Sequence, residues 1–272
     1  MVHSKFKYLY LSGWNNYPKI KCKTFRPEKI SDVYDILIKE NNIISRGQGK
    51  SYGDASINQN GVILTERLDK FLSFDKKIGI IKVQSGLMLS DLNRHINKEG
   101  WVLPVVPGTE LISVGGAFAC NVHGKNNYNK GSFADHVKEI KLITSNKKLI
   151  TCSPSKNKDM FWSTAGGMGL TGIIQDLTIK LVKVNSTDLQ VETIKVNNLS
   201  QMLEFFKKGK STHEFMVGWI DCFGKGKKLG NGIFQKADFK QKNNTPIIVD
   251  RNKKFIIKVP FNFPSFLLNK IT

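Results

Sequence analysis

RGQGKSYGDAS, residues 46–56, decides how the first half of the chain is read. Its glycines and serines interrupt the hydrophobic pattern between two short apolar runs, Ile43–Ser45 and Val62–Leu64, each of which predicts a buried strand. Successive backbone N–H groups exposed in such a turn can cradle a pyrophosphate. Two familiar phosphate loops do not match. A P-loop ending in Gly49-Lys50-Ser51 needs a glycine where Ile44 stands, and a G-x-G-x-x-G from Gly47 needs one where Tyr52 stands, with Gly53 one place late. A literal G-x-G-x-x-G does occur at Gly167, Gly169 and Gly172 within STAGGMGLTGII (163–174). It lies between a helical pattern at Lys158–Thr164 and a long strand pattern at Ile173–Val184, the reverse of the order in dinucleotide folds. A third cluster, PGTELISVGGAFACNVHGKN (107–126), lies between the other two, and its small residues would let backbone approach a planar ligand.

Working outward, Ile30, Val33, Tyr34, Leu37 and Ile38 form one apolar stripe that predicts a helix over 27–42, with Pro27 in its first turn. Strands are expected at Ile78–Gln84, at Val137–Thr144 and at Lys148–Cys152, the last two as a hairpin, with a short helix at Ser90–Asn97. The composition changes at Asn185–Thr187, where a domain boundary is expected. Beyond it come a helix at Leu199–Lys208 and strands at Glu214–Asp221 and Lys254–Val259, separated by a polar, Lys- and Asn-rich stretch.

The 272 residues suit about two domains, and 40% hydrophobic with 24% charged residues is a globular balance. No run approaches the ~20 apolar residues of a membrane span. Forty-two Lys and Arg against 22 Asp and Glu leave a net charge of +20, which attracts nucleic acid, anionic lipid or a phosphorylated substrate. The arginines are few (Arg26, Arg46, Arg67, Arg94, Arg251) and the lysines are spread along the chain, which disfavours nucleic acid; codon bias suffices to explain the charge. Cys22, Cys120, Cys152 and Cys222 form no C-x-x-C pair, so neither a metal site nor a redox dithiol is expected. The N-terminus lacks the apolar stretch of a secretory signal, and the expected compartment is the cytoplasm.

Taken together and in this order, RGQGKSYGDAS, VPGTELISVGGAFACNVHGKN (106–126), GSFADHV (131–137) and FWSTAGGMGLTGII (161–174) resemble the vanillyl-alcohol oxidase and p-cresol methylhydroxylase (PCMH) superfamily of flavoproteins. Within it they are most similar to oxidases of polyprenyl-phosphoryl pentoses. The resemblance is dense from residue 12 to 185 and thinner through Gly218–Asp221 and Lys228–Gly230. It implies an α+β chain: a two-subdomain PCMH-type FAD-binding domain over 1–185, then an incomplete antiparallel-sheet substrate domain over 186–272. FAD is the implied cofactor, held non-covalently, because Lys50 stands where some relatives carry the histidine that attaches the flavin.

Carried over by position, Ser45, Arg46, Gly47, Gln48, Gly49, Lys50, Ser51, Tyr52, Gly53, Asp54 and Ala55 would wrap the pyrophosphate. Gly108, Ser113, Val114, Gly115 and Gly116 would line the isoalloxazine and its linker. Cys120, Asn121, Val122 and His123 would contact the flavin, and Ile174 would bond it through its backbone. Tyr52, Lys125, Asn126 and Trp219 would face the substrate, with His123 or Lys125 orienting its hydroxyl or taking its proton. The implied reaction oxidises a sugar secondary alcohol, most simply on a polyprenyl-phosphoryl sugar, and feeds a reductase partner that completes an epimerisation. A peripheral contact with the inner face of the membrane would agree with the charge and with apolar Phe255–Leu268. An aldonolactone or alditol oxidase is the alternative within the superfamily. The family's C-terminal lysine and tyrosine have no counterpart before Thr272, so the chain reads as truncated, and a non-catalytic FAD-binding remnant is the alternative of a different kind.

Overall fold

In the computed structural model, residues 6–241 and Pro264 are described. The first sheet joins β1 (Phe6–Leu11), β2 (Ile20–Phe25), β3 (Ile44–Arg46) and β4 (Val62–Leu64) in the order β1-β2-β4-β3. β1 and β2 are antiparallel, while β4 runs parallel to both β2 and β3. The helix α1 (Ile30–Lys39) connects β2 to β3 and buries Val33 and Ile36 against Phe25 and Ile63. Its Asp32 carboxylate accepts the amide N–H groups of Glu28 and Lys29 (3.0 and 3.2 Å), satisfying donors that precede the helix. Pro27 therefore lies outside the helix, contrary to the expectation of a first-turn proline, because Asp32 starts the helix at Ile30.

The second sheet is antiparallel throughout. β5 (Phe71–Asp75) and β6 (Ile80–Gln84) lead through α2 (Leu89–Asn97) to the two-residue β7 (Trp101–Val102). After α3 (Val114–Ala119) and α4 (Asn127–Lys130) come the hairpin β8 (Val137–Ile143) and β9 (Leu149–Cys152), α5 (Lys158–Thr164) and β10 (Ile173–Lys180). The order is β5-β6-β10-β8-β9, so the last strand in sequence is the central one. Ile81, Val83, Ile140, Leu142, Leu177 and Ile179 from these strands pack with Leu92, Phe118 and Phe161 from the helices in the largest core cluster. The long strand expected over Ile173–Val184 is broken: beyond Lys180, β11 (Val182–Lys183) leaves the sheet and pairs with β7. Leu181 marks the turn-off, buried in the core with its amide bonded to the Gly79 carbonyl at 2.8 Å.

Past residue 188 a third sheet joins β12 (Leu189–Val196), β13 (Phe215–Ile220) and β14 (Gly232–Phe239) in the order β12-β14-β13, all antiparallel. α6 (Leu199–Gly209) covers one face, with Met202, Phe205 and Phe206 against Met216 and Phe234. β14 occupies part of the stretch read from sequence as merely polar. Its Gln235, Lys236 and Asp238 obscure the apolar alternation, and pairing on both sides makes it a strand nonetheless. The strand expected at Lys254–Val259 lies outside the described residues, as does Phe255–Leu268 except for Pro264. Among the described residues no helix is long and apolar enough to cross a membrane.

Polar contacts join this sheet to the segment around α4. The Met216 amide donates to the Lys125 carbonyl (2.9 Å), and the Tyr128 hydroxyl to the His213 carbonyl (2.7 Å). His213 Nδ1 lies 2.7 Å from Asp238 Oδ2, while Asp238 Oδ1 accepts the Glu214 amide at 2.7 Å. Burial, reinforced by the Glu214 and Asp238 carboxylates, pushes the Tyr128 phenol up to about 12, so it stays a donor. For Asp238, burial also pushes the pKa up, but the His213 and Glu214 hydrogen bonds and the nearby His213 and Lys236 charges outweigh it and hold the carboxyl below its ordinary value.

Two outcomes follow from this packing. Leu177→Ala, at a fully buried position on the central strand, lowers unfolding free energy by about 2–5 kcal/mol in chemical denaturation, whereas Leu170→Ala, 82% exposed, stays within about 0.5 kcal/mol. A depressed carboxyl contributes stability above its unfolded-state pKa that is lost as pH falls through the folded value. Asp238→Asn therefore starts less stable at neutral pH and shows a flatter loss of melting temperature on acidification below the ordinary carboxylate range than the parent.

Candidate functional site

The loop 45–56 leaves β3 and is held chiefly by one half-buried side chain. The Arg46 guanidinium donates to the Ser12 carbonyl (2.7 Å) and to Ser56 Oγ (2.9 Å), while its own carbonyl accepts the Thr65 hydroxyl (3.2 Å). Trp14 adds an amide bond to the Ser51 carbonyl (2.8 Å). Gly49 has φ +63°, and a Cβ there would lie 2.1 Å from Arg46 Nη2, so both conformation and space demand glycine. With the loop pinned in this way, no acceptor among the described residues takes the amide N–H groups of Gln48, Gly49, Lys50 or Ser51. They are open donors at the edge of a cavity.

That cavity, of about 400 Å³, has three walls. Ser45, Gly47, Gln48, Gly49, Lys50, Ser51, Tyr52, Ala55 and Ser56 form the first. The start of α3 forms the second, through Ile112, Ser113, Gly115, Gly116, Ala119, Cys120 and Val122. Ser113 Oγ accepts the Gly116 amide (3.1 Å) and so caps this short helix. The third wall is the turn from α5 into β10, contributing Met168, Gly169, Gly172 and Ile174, with Thr65 and Ser85 beside it. Gly172 has φ +147°, and a Cβ would sit 2.4 Å from the Ile143 carbonyl, which is how the turn enters the sheet without a side chain. The helix-then-strand order expected around the G-x-G-x-x-G is observed.

Most of the residues expected at a cofactor thus converge on one cavity, and the remainder do not line it. Arg46 spends its guanidinium on the loop itself, and Val114 is fully buried in the core. Asn121 accepts the Ala134 amide (3.1 Å), Gly53 donates to Asn15 Oδ1 (3.2 Å), and Asp54 and Gly108 are exposed. Ser56, Thr65, Ser85, Ile112, Ala119, Met168, Gly169 and Gly172 are lining residues that sequence reasoning missed. Met168, Gly169 and Gly172 lie in a quoted glycine cluster, but Thr65 and Ser85 follow ordinary strands and carry no local signal.

Cys120 and Val122 line this cavity, and three residues on Lys125 lines a second one of about 380 Å³. The second lies between Val106, Pro107 and Glu110 and one face of the third sheet, including Phe215, Val217 and Gln235. His123 is exposed and pairs with Ser132 in an isolated bridge, lining neither cavity. Asn126 is buried, its Nδ2 donating to the Pro104 carbonyl (2.9 Å) and to Glu214 (3.4 Å). Trp219 is 61% exposed, with its indole N–H 3.4 Å from Gln235 Oε1. Tyr52, at the mouth of the first cavity, is also exposed. Lys50 lies with its ammonium 4.5 Å from the centre of the Trp14 ring.

The first cavity suits an extended, planar-ended anionic cofactor. Open loop amides supply donors for phosphate, the three walls carry glycines or other small residues at close approach, and Ser85 Oγ is buried beside it without a protein partner. Among the described residues no group of three or more His, Cys, Asp or Glu side chains could hold a metal.

Comparison with known proteins agrees with this geometry. Residues 24–153 match the family described as "FAD binding domain". The chain is 31% identical to decaprenylphosphoryl-beta-D-ribose oxidase of Mycolicibacterium smegmatis, over 85% of this chain and 52% of that protein. It is 25% identical to a putative D-arabinono-1,4-lactone oxidase of Neurospora crassa, over 58% of this chain and 29% of that protein. It is also 25% identical to the mitochondrial L-galactono-1,4-lactone dehydrogenase of Arabidopsis thaliana, over 73% of this chain and 33% of that protein. The chain spans about half the length of the mycobacterial relative and less of the other two. The fold, the glycine-lined cavity and these matches converge on one conclusion: residues 24–153 are similar to the family of FAD-binding domains, and FAD is the cofactor that the likeness supports.

Proposed function

We propose that the chain holds FAD non-covalently in the first cavity and is the flavin-bearing part of an oxidoreductase that converts a sugar secondary alcohol to a ketone, on a polyprenyl-phosphoryl pentose. The observation that carries this reading is the segment Cys120–Lys125, which runs from the wall of the cofactor cavity to the wall of a second cavity under the third sheet. The similarity to an oxidase of a decaprenylphosphoryl ribose, higher than to the lactone oxidases, supports the substrate class.

FAD, when bound, supplies the acceptor for a hydride from the carbinol carbon. The chain's residues do the rest. Amides of Gln48–Ser51 and the Lys50 ammonium would neutralise pyrophosphate, and the small residues of α3 would leave room for the planar ring. Lys125, on the wall of the second cavity, would hold the substrate hydroxyl and, as the free amine, take its proton to become the ammonium as the hydride leaves. His123, which lines neither cavity, is the weaker candidate for that step. Asn126 would act by position, its amide tying the Lys125 segment to Pro104 and Glu214. Residues 186–272 would belong to the substrate domain, with Trp219 and Gln235 towards the sugar. The ketone product then requires a separate reductase partner to return it as the epimer.

Purified chain should take up FAD and show a flavin band near about 450 nm that passes into the supernatant on acid precipitation. Flavin left in the pellet would sink the non-covalent assignment. Gly49→Val should weaken FAD binding about tenfold or more in a fluorescence titration, through left-handed backbone strain and the collision with Arg46. Substrate class is read by anaerobic bleaching of the bound flavin: polyprenyl-phosphoryl ribose should bleach it, and aldonolactones should not. Lys125→Ala should slow that bleaching by about 10²–10⁴ with FAD uptake unchanged. The same loss in His123→Ala but not Lys125→Ala would transfer the proton role to His123.

A further inference from the structure

β1 is an edge strand of the first sheet, and on one of its faces Phe6, Tyr8 and Tyr10 alternate outward. This is the face that α1 covers further in, where Phe25, the register partner of Phe6, is buried against Val33 and Ile36. Over β1 no element among the described residues closes it: Phe6 is 47%, Tyr8 58% and Tyr10 67% exposed. The loop that follows adds Trp14 and Tyr17, also exposed. Lysines border the aromatic row. Lys23 and Lys21 are the register partners of Tyr8 and Tyr10, with Lys21 Nζ 5.2 Å from the Tyr8 ring centre and Lys23 Nζ 4.6 Å from that of Phe6. Lys23 is paired with Glu40, but Lys19 and Lys21 are exposed with no acidic partner among the described residues. From Met1 to Pro27 the sequence holds six Lys and Arg, namely Lys5, Lys7, Lys19, Lys21, Lys23 and Arg26, and no Asp or Glu, although Arg26, like Lys23, is paired with a distant carboxylate, Glu66 at 2.6 Å.

We propose that this aromatic and basic face of the β1–β2 hairpin docks on an anionic phospholipid surface. Tyrosine and tryptophan rings carry an apolar body and a polar tip, which places them at the headgroup level, and lysine stems lie along apolar surface while their ammonium groups reach phosphate. An acid-free basic segment beside such a row is complementary to a negatively charged leaflet. Base stacking on single-stranded nucleic acid is disfavoured, because it needs open ring faces and two of these rings already carry an ammonium group within 5.2 Å. Lys7 on the edge strand also opposes strand addition by a second copy. This surface is independent of the sugar specificity proposed above. It also differs from the apolar stretch 255–268, which the sequence suggested for membrane contact and which, except for Pro264, lies outside the described residues.

The test is co-sedimentation of the FAD-loaded chain with vesicles of phosphatidylcholine alone or mixed with phosphatidylglycerol, at low and high salt. Binding is expected to the mixed vesicles only and to weaken with salt. Lys21→Glu should reduce it at least about fivefold, in line with the contribution of one basic residue near a charged surface. A Tyr8→Ser, Tyr10→Ser double variant should reduce it comparably while keeping flavin absorbance and far-UV circular dichroism. Lys21→Glu, an exposed change that touches no core residue, keeps the test decisive if the double variant fails to fold. Absence of binding, equal binding by Lys21→Glu and the parent, or stronger binding of a single-stranded RNA probe lost in the same variants would each overturn the proposal.

Discussion

Strand β10 is the constraint on which the rest of this fold depends. It lies between β6 and β8 at the centre of an antiparallel sheet, so its backbone groups are satisfied from both sides and its Leu177 and Ile179 side chains anchor the main core. Because the sheet closes around the last of its strands in sequence, the preceding glycine turn is carried to a fixed place beside the first loop. Ile174 belongs at once to the core cluster and to the cavity wall. Stability and cofactor shape are therefore set by the same pairing.

Within that frame the chain leaves backbone donors unpaired in a loop that is itself tightly bound. Arg46 illustrates the division of labour. Burial lowers the pKa of its guanidinium, but the neighbouring Ser12 carbonyl and Ser56 hydroxyl accept its hydrogen bonds, and the charge acts on the loop rather than in the cavity. Phosphate would then be met by amides that need no rearrangement, the preorganised arrangement in which electrostatic stabilisation is most effective.

The junction between the flavin-binding part and the third sheet follows the same economy. The Lys125 carbonyl, the Asn126 amide, the Tyr128 hydroxyl and the His213–Asp238 pair connect the end of the third glycine cluster to β13 and β14. The second cavity owes its existence to this seam, since one wall comes from each side. Lys125 on that wall stands three residues beyond Val122 on the wall of the first cavity.

Legible in the sequence were the open glycine loop between β3 and β4, the mismatch to P-loop and dinucleotide patterns, the helices at 30–39, 89–97, 158–164 and 199–209 to within a few residues, and the hairpin of β8 and β9. Those features rest on local periodicity and on glycines at turns, both of which are written in neighbouring residues. Only the tertiary structure decided that β10 is central, that Leu181 ends it, and that Thr65 and Ser85 stand at the cavity. It also showed that Asn126 faces protein and that the polar-looking run 232–239 is a paired strand. Strand order, and the burial of a polar side chain by distant residues, depend on contacts between segments far apart in the chain, and no local pattern of apolar spacing encodes them.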